Sequence, residues 1–123
     1  MKIKTAELDG FILRYVVGNL EGYQSRCPWM LEQDGFRRWQ GYESSFGAPL
    51  PHYDSESYDA WKIVDRERIT IKPYSLGTDW FATLPSATGG HLLSGPTIFI
   101  AALRCYVASK LGDEVEIPDV KWD

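Results

Sequence analysis

Ser94-Gly95-Pro96-Thr97-Ile98-Phe99-Ile100-Ala101-Ala102-Leu103-Arg104-Cys105-Tyr106-Val107-Ala108-Ser109-Lys110-Leu111-Gly112 is the stretch whose reading decides the fold. Its pattern predicts one helix with both ends marked. Pro96 suits a first turn, where its fixed φ fits and its missing N–H is not needed. Ser94 or Gly95 is placed to cap the start, and Gly112 to close the end in a left-handed conformation. Lys110 falls in the last turn, beside the negative end of the helix dipole. At ~100° per residue, Ile98, Ala102, Cys105 and Ser109 form one stripe, and Ile100, Leu103, Val107 and Leu111 another on the opposite side. A helix apolar on two opposite sides has to be covered on both. The expectation is a central buried helix.

Working outward, Ile69-Thr70-Ile71-Lys72 alternates as a strand does, Pro73 to Asp79 reads as a turn, and Trp80-Phe81-Ala82-Thr83-Leu84 returns as a second strand of an antiparallel hairpin. Ser57 to Arg66 reads as a short helix capped by Ser57, with Trp61, Ile63 and Val64 turned inward. Near the N-terminus, Asp9-Gly10 opens a helix whose apolar positions are Phe11, Ile12, Tyr15, Val16 and Leu20, ending at Gly22. Residues 2–8 are an extended lead-in. Pro85 to Gly90 is read as a loop, and Val115-Glu116-Ile117 as an edge strand stopped by Pro118. The expected fold is a small α+β domain over residues 1–123: the C-terminal helix central, the N-terminal helix packed against it, and a short antiparallel sheet.

Between Tyr23 and Trp61 regularity fails. Pro28, Gly35, Gly41, Gly47, Pro49 and Pro51 punctuate any helix or strand. The same stretch holds Tyr23, Trp29, Phe36, Trp39, Tyr42, Phe46, Tyr53, Tyr58 and Trp61, nine of the seventeen aromatic residues. Sequence this rich in large rings can bury enough surface to order itself, so a long, ordered, irregular insertion over residues 23–61 is expected rather than a linker.

The totals bound the function. A chain of 123 residues is long enough for one core without disulfides. The net charge is −4, and Gly112 to Asp123 contributes five acids against the single Lys121, so the remainder is close to neutral. That balance argues against a polymeric nucleic-acid partner, which needs a basic surface. No signal-peptide pattern or membrane-length apolar run occurs, and Cys27 and Cys105 are the only cysteines, as in a reduced cytoplasmic protein.

The C-terminal run from Gly95-Pro96-Thr97 through Leu111-Gly112-Asp113-Glu114-Val115-Glu116-Ile117-Pro118 resembles the end of the NinX-like family of small tailed-phage and prophage proteins, a domain of unknown function. The opening Met1-Lys2-Ile3-Lys4-Thr5-Ala6-Glu7-Leu8 and the central Ile63-Val64-Asp65-Arg66-Glu67-Arg68-Ile69 are similar to its start and middle. The Tyr23–Trp61 segment departs from that pattern. The resemblance brings no catalytic residues to transfer. It implies a dispensable phage accessory gene whose product acts in the cytoplasm of an infected bacterium.

Chemistry is sparse. His52 and His91 are far apart, and no metal-spaced cysteine pair or nucleophile motif is present. No cofactor, metal or catalytic set is expected, although a Cys27–His52 pair would suit a nucleotide hydrolase. Asp54, Glu56, Asp59 and Asp65 read as a solvated acidic face rather than a metal site. Thr88 to Gly95, glycine-rich ahead of a helix, either presents amides to an anion or merely permits a tight entry. Arg104, on a helix otherwise apolar, has to reach solvent, a ligand or a carboxylate such as Asp79 or Glu67.

The candidate ligand-binding set is Trp29, Arg37, Arg38, Trp39, His52, Tyr53, Trp61 and Arg104. Trp, Tyr and Arg dominate binding hot spots, and rings beside guanidinium groups also suit a base and a phosphate. Their alternative role is a satellite core under the long segment. The expected activity is therefore binding without catalysis: sequestering a small nucleotide-type immune signal, or inhibiting a host defence or regulatory protein. A homo-oligomer, or a structural protein with no ligand, is also compatible with the sequence.

Overall fold

The structure is a computed structural model; it describes residues 1–22, 52–53, 55–75, 77–86 and 89–118. Among these, the chain runs β1 (Lys2–Lys4), a 3-10 turn (Thr5–Glu7), α1 (Gly10–Leu20), α2 (Tyr58–Glu67), β2 (Thr70–Pro73), β3 (Trp80–Ser86), β4 (Gly89–Gly95), α3 (Ile98–Leu111) and β5 (Glu114–Glu116). The expected α+β architecture is what forms. Of the span 23–61 expected to be irregular, residues 23–51 lie outside the described residues, and the last part, from Tyr58, is helical.

The central helix, α3, is buried nearly all round: Phe99, Ala101, Ala102, Leu103, Cys105, Tyr106, Val107 and Ala108 are all removed from solvent. Its cap is Thr97, whose Oγ1 accepts from the Ile100 N–H at 3.1 Å, so Pro96 precedes the helix rather than opening it. Gly112 closes the helix with φ 89°, but its ψ of −163° is extended rather than the left-handed value expected. Leu111, placed on the second stripe, is half exposed.

α3 packs against β2, β3 and β4 as well as against α1 and α2, which accounts for its two apolar sides. β2, β3 and β4 make an antiparallel meander, with Thr70 opposite Thr83 in the first pair and Trp80 opposite Gly95 in the second. β4 corrects the sequence reading. Gly89 to Gly95 is a strand, not a loop, and Gly89 and Gly90 pair with Ser86 and Pro85. Gly95 is required by a close approach: a Cβ there would lie 2.7 Å from the Ala101 nitrogen and 3.1 Å from its Cα. The missing side chain lets the sheet end directly against the first turns of α3.

The two ends of the chain join. β1 and β5 form a separate antiparallel ribbon, with Lys2 opposite Glu116, Ile3 opposite Val115 and Lys4 opposite Glu114. Thr5, buried beside it, donates through its hydroxyl to the Gly112 carbonyl at 2.7 Å. The residues read as a lead-in thus hold the end of the central helix in place.

A charged cluster fixes the three helices. Arg66 of α2 forks onto both oxygens of Glu21, at the end of α1, at 2.8 and 2.9 Å, while its Nε donates to Glu67. The Tyr106 hydroxyl of α3 donates to Glu21 at 2.7 Å, and Lys110 lies 3.4 Å from Glu67. Arg66 holds both carboxyls below their ordinary range, whereas burial and the neighbouring Glu21 carboxylate raise the Tyr106 phenol. Bidentate geometry of this kind carries more energy than an isolated surface pair.

Candidate functional site

α2 starts where Ser57 accepts from the Ala60 N–H at 3.1 Å, as its sequence foretold. Ala60, Ile63 and Val64 face the core. Trp61 does not follow them inward. It falls at the edge of that stripe, 43% exposed, with its ring edge-on to Phe99 of α3 at 5.0 Å and 84°. Tyr58, one turn earlier on α2, is 77% exposed. The spacing of three residues brings Tyr58 and Trp61 to the same side of the helix.

The Trp61–Phe99 pair stands between two open recesses, each of about 380 Å3. One is bounded by Trp61, Val64, Asp65, Arg68 and Ile69. The other lies at the start of α3, where Trp80, Pro96, Ile98 and Phe99 give an apolar wall and Ser55, Glu56 and Thr97 a polar one. The Ile98 and Phe99 amides belong to the first helical turn, which has no intrahelical acceptors for its N–H groups. The chemistry of this face is that of a docking surface: aromatic in the middle and polar around it, with Glu56 and Asp65 supplying negative charge and Arg68 a cation.

Of the sequence candidates, Trp29, Arg37, Arg38 and Trp39 lie outside the described residues, as does Cys27 of the Cys–His reading. His52 is exposed, and its carbonyl accepts from the Ser57 hydroxyl, tying the approach to α2. Tyr53 is a core residue, 2% exposed. Trp61 is at the surface.

Arg104 is engaged with backbone. Its Nε donates to the Leu8 carbonyl at 2.7 Å and an Nη to the Ser94 carbonyl at 2.9 Å, clamping the segment before α1 and the end of β4 onto α3. Burial lowers its pKa, partly offset by Asp9, Asp79 and Glu7. Asp79 therefore acts at longer range than the contact expected for it. Glu67 instead serves Arg66 and Lys110.

The aromatic residues of this face that lay outside the candidate set are Tyr58, Trp80 and Phe99. Phe99 falls between the two stripes of α3, a position whose large ring was the available signal. Cys105 is buried, its thiol pushed up to about 11 by burial and donating to the His91 carbonyl at 3.4 Å. Such a thiol is a poor nucleophile. Among the described residues no three His, Cys, Asp or Glu side chains gather as a metal site.

With that geometry in place, comparison with known proteins decides the kinship. A family model described as "Bacteriophage P22, NinX" matches residues 4–110. The chain belongs to the NinX family of bacteriophage proteins. The matched span runs across the aromatic-rich residues 23–61. No curated protein matches the chain. Among the described residues no helix is long and apolar enough to cross a membrane.

Proposed function

We propose that this NinX protein docks on a host protein in the cytoplasm of the infected bacterium and neutralises it by occupying a surface, without catalysing a reaction. One observation carries this reading: the exposed Tyr58 and the half-exposed Trp61, propped edge-on by Phe99, stand between two open recesses. Large rings held in place by neighbours lose few rotamers on binding, and a polar rim around them is the usual anatomy of a protein interface. The carboxylates of Glu56 and Asp65 on that rim favour a basic patch on the partner.

A second reading, a small nucleotide-type ligand, is favoured by one feature. The first-turn amides of α3 and the Trp80 and Phe99 rings border one recess, which offers stacking surface beside a positive dipole end. Glu56 in the same wall opposes a phosphate, and Arg104 is committed to backbone carbonyls. Arg37, Arg38 and Trp39 would have to supply the rest.

Purification of the tagged chain from a bacterial host, followed by native mass spectrometry, separates these readings. The docking reading expects one host protein in fixed stoichiometry, lost in the Tyr58→Ala/Trp61→Ala variant while its circular dichroism is unchanged. A nucleotide released intact on denaturation establishes the second reading instead, and a converted nucleotide would establish a hydrolase. The bare chain, alone or self-associated, contradicts both binding readings.

A further inference from the structure

The β1–β5 ribbon presents a second surface, independent of the aromatic face. Met1 and Ile117 exchange both backbone hydrogen bonds, at 2.9 and 2.8 Å, and the Thr5 N–H donates to the Asp113 carbonyl. In an antiparallel pair the bonded residues alternate, so 113, 115 and 117 direct their backbone groups toward β1. Glu114 and Glu116 then direct their N–H and C=O groups the opposite way. Among the described residues β5 pairs with β1 alone.

That open edge borders a cavity of about 380 Å3 between β5 and one side of α1. Tyr15, Val16, Leu20 and Leu111 give it an apolar lining, and Glu114 and Glu116 form its acidic edge. Val115 is buried, while both glutamates are exposed on the outer face.

We infer that this edge takes a second extended strand, donated by a partner protein as a segment in which basic and apolar residues alternate. The other edge of β5 shows the chemistry it selects. Its intramolecular partner is Lys2-Ile3-Lys4, which sets a lysine opposite each glutamate and an isoleucine opposite Val115. A guest of the same pattern would set cations on the far side of Glu114 and Glu116 and an apolar side chain toward Leu20 and Leu111. Main-chain bonds to residues 114 and 116 would supply affinity, and alternate side chains specificity, as in other strand additions. Pairing of this edge with the same edge of a second copy would bring glutamate against glutamate, which disfavours that occupant.

The test is titration of the isotope-labelled full chain with a synthetic nine-residue peptide carrying Lys-Ile-Lys-Ile-Lys at its centre, read by amide chemical shifts. The expected result is saturable shifts centred on Glu114, Glu116 and Leu20, weakened by salt. A Glu-Ile-Glu-Ile-Glu peptide should give none. Replacing the central residue by proline, which cannot donate, should weaken binding at least about tenfold. Leu111→Arg, at a half-exposed position, should weaken it comparably without altering the remaining spectrum. Equal binding of the proline peptide, shifts confined to another face, or no shifts would overturn the inference. So would a dimer mediated by this edge that the peptide displaces.

Discussion

At the scale of single residues, the structure assigns firm roles to side chains whose purpose the sequence left open. Gly95 is the sharpest case. Because a Cβ would press on the backbone of Ala101, Gly95→Ala should destabilise the fold by about 2 kcal/mol, the scale of an overpacked core site. Urea denaturation measures it, and an unchanged midpoint would show that the first turns of α3 yield easily. Arg104 acts through two backbone carbonyls far apart in sequence. Arg104→Met keeps the stem but leaves the Leu8 and Ser94 carbonyls without their donor, so a loss of about 2 kcal/mol is expected. Host-protein binding per folded molecule should be unaffected. Cys105 should resist a maleimide reagent in the native protein and react on unfolding, because it is buried and its thiol is raised to about 11.

At the scale of elements, the junction of the three helices is sensitive to pH at both ends. Glu21 and Glu67 have pKa values lowered by Arg66. Their stabilisation is therefore present above the ordinary value of 4.5 and lost as pH falls through the lowered folded values. Tyr106 and Cys105 are shifted the other way, so stability should fall again as pH rises past the ordinary values of 9.0 for the thiol and 10.0 for the phenol. Glu21→Gln should be the less stable protein at pH 7, and its deficit should shrink below pH 4.5. Thermal unfolding across pH reads both limbs, and a parallel acid slope in the variant would remove Glu21 from this role.

The same elements show how much the sequence reveals and why. α3 is legible because two apolar stripes on one helix admit a single placement, and α2 because Ser57 caps its start. The β2–β3 hairpin is legible from alternation. β4 is not, since Gly89, Gly90 and Gly95 look like loop residues when their true purpose, close approach, depends on atoms of α3. The β1–β5 ribbon joins three-residue strands from opposite ends of the chain. Both pieces read as extended, but a local pattern does not say that they pair, although the matching of Lys-Ile-Lys with Glu-Val-Glu was a signal of charge complementarity.

At the scale of the whole molecule, the candidate site is half legible. The sequence marks aromatic and arginine residues but does not tell surface from core. Tyr53 and Trp61 are both rings near the start of α2, yet one is buried and the other exposed, because Ala60, Ile63 and Val64 define the core stripe and Trp61 flanks it. Arg104 was legible as a residue with something to reach, and it reaches the Leu8 and Ser94 carbonyls. NinX kinship places the protein among phage products, and the proposed docking rests on the aromatic face.

The most direct measurement replaces Trp61 with a photo-reactive phenylalanine analogue and irradiates the intact bacterial cell that expresses the chain. Docking predicts one dominant cross-linked species, the chain joined to a single host protein, which diminishes when unlabelled wild-type protein competes. Cross-links confined to the chain itself would mean that the Trp61–Phe99 face is covered from within, and would contradict the account.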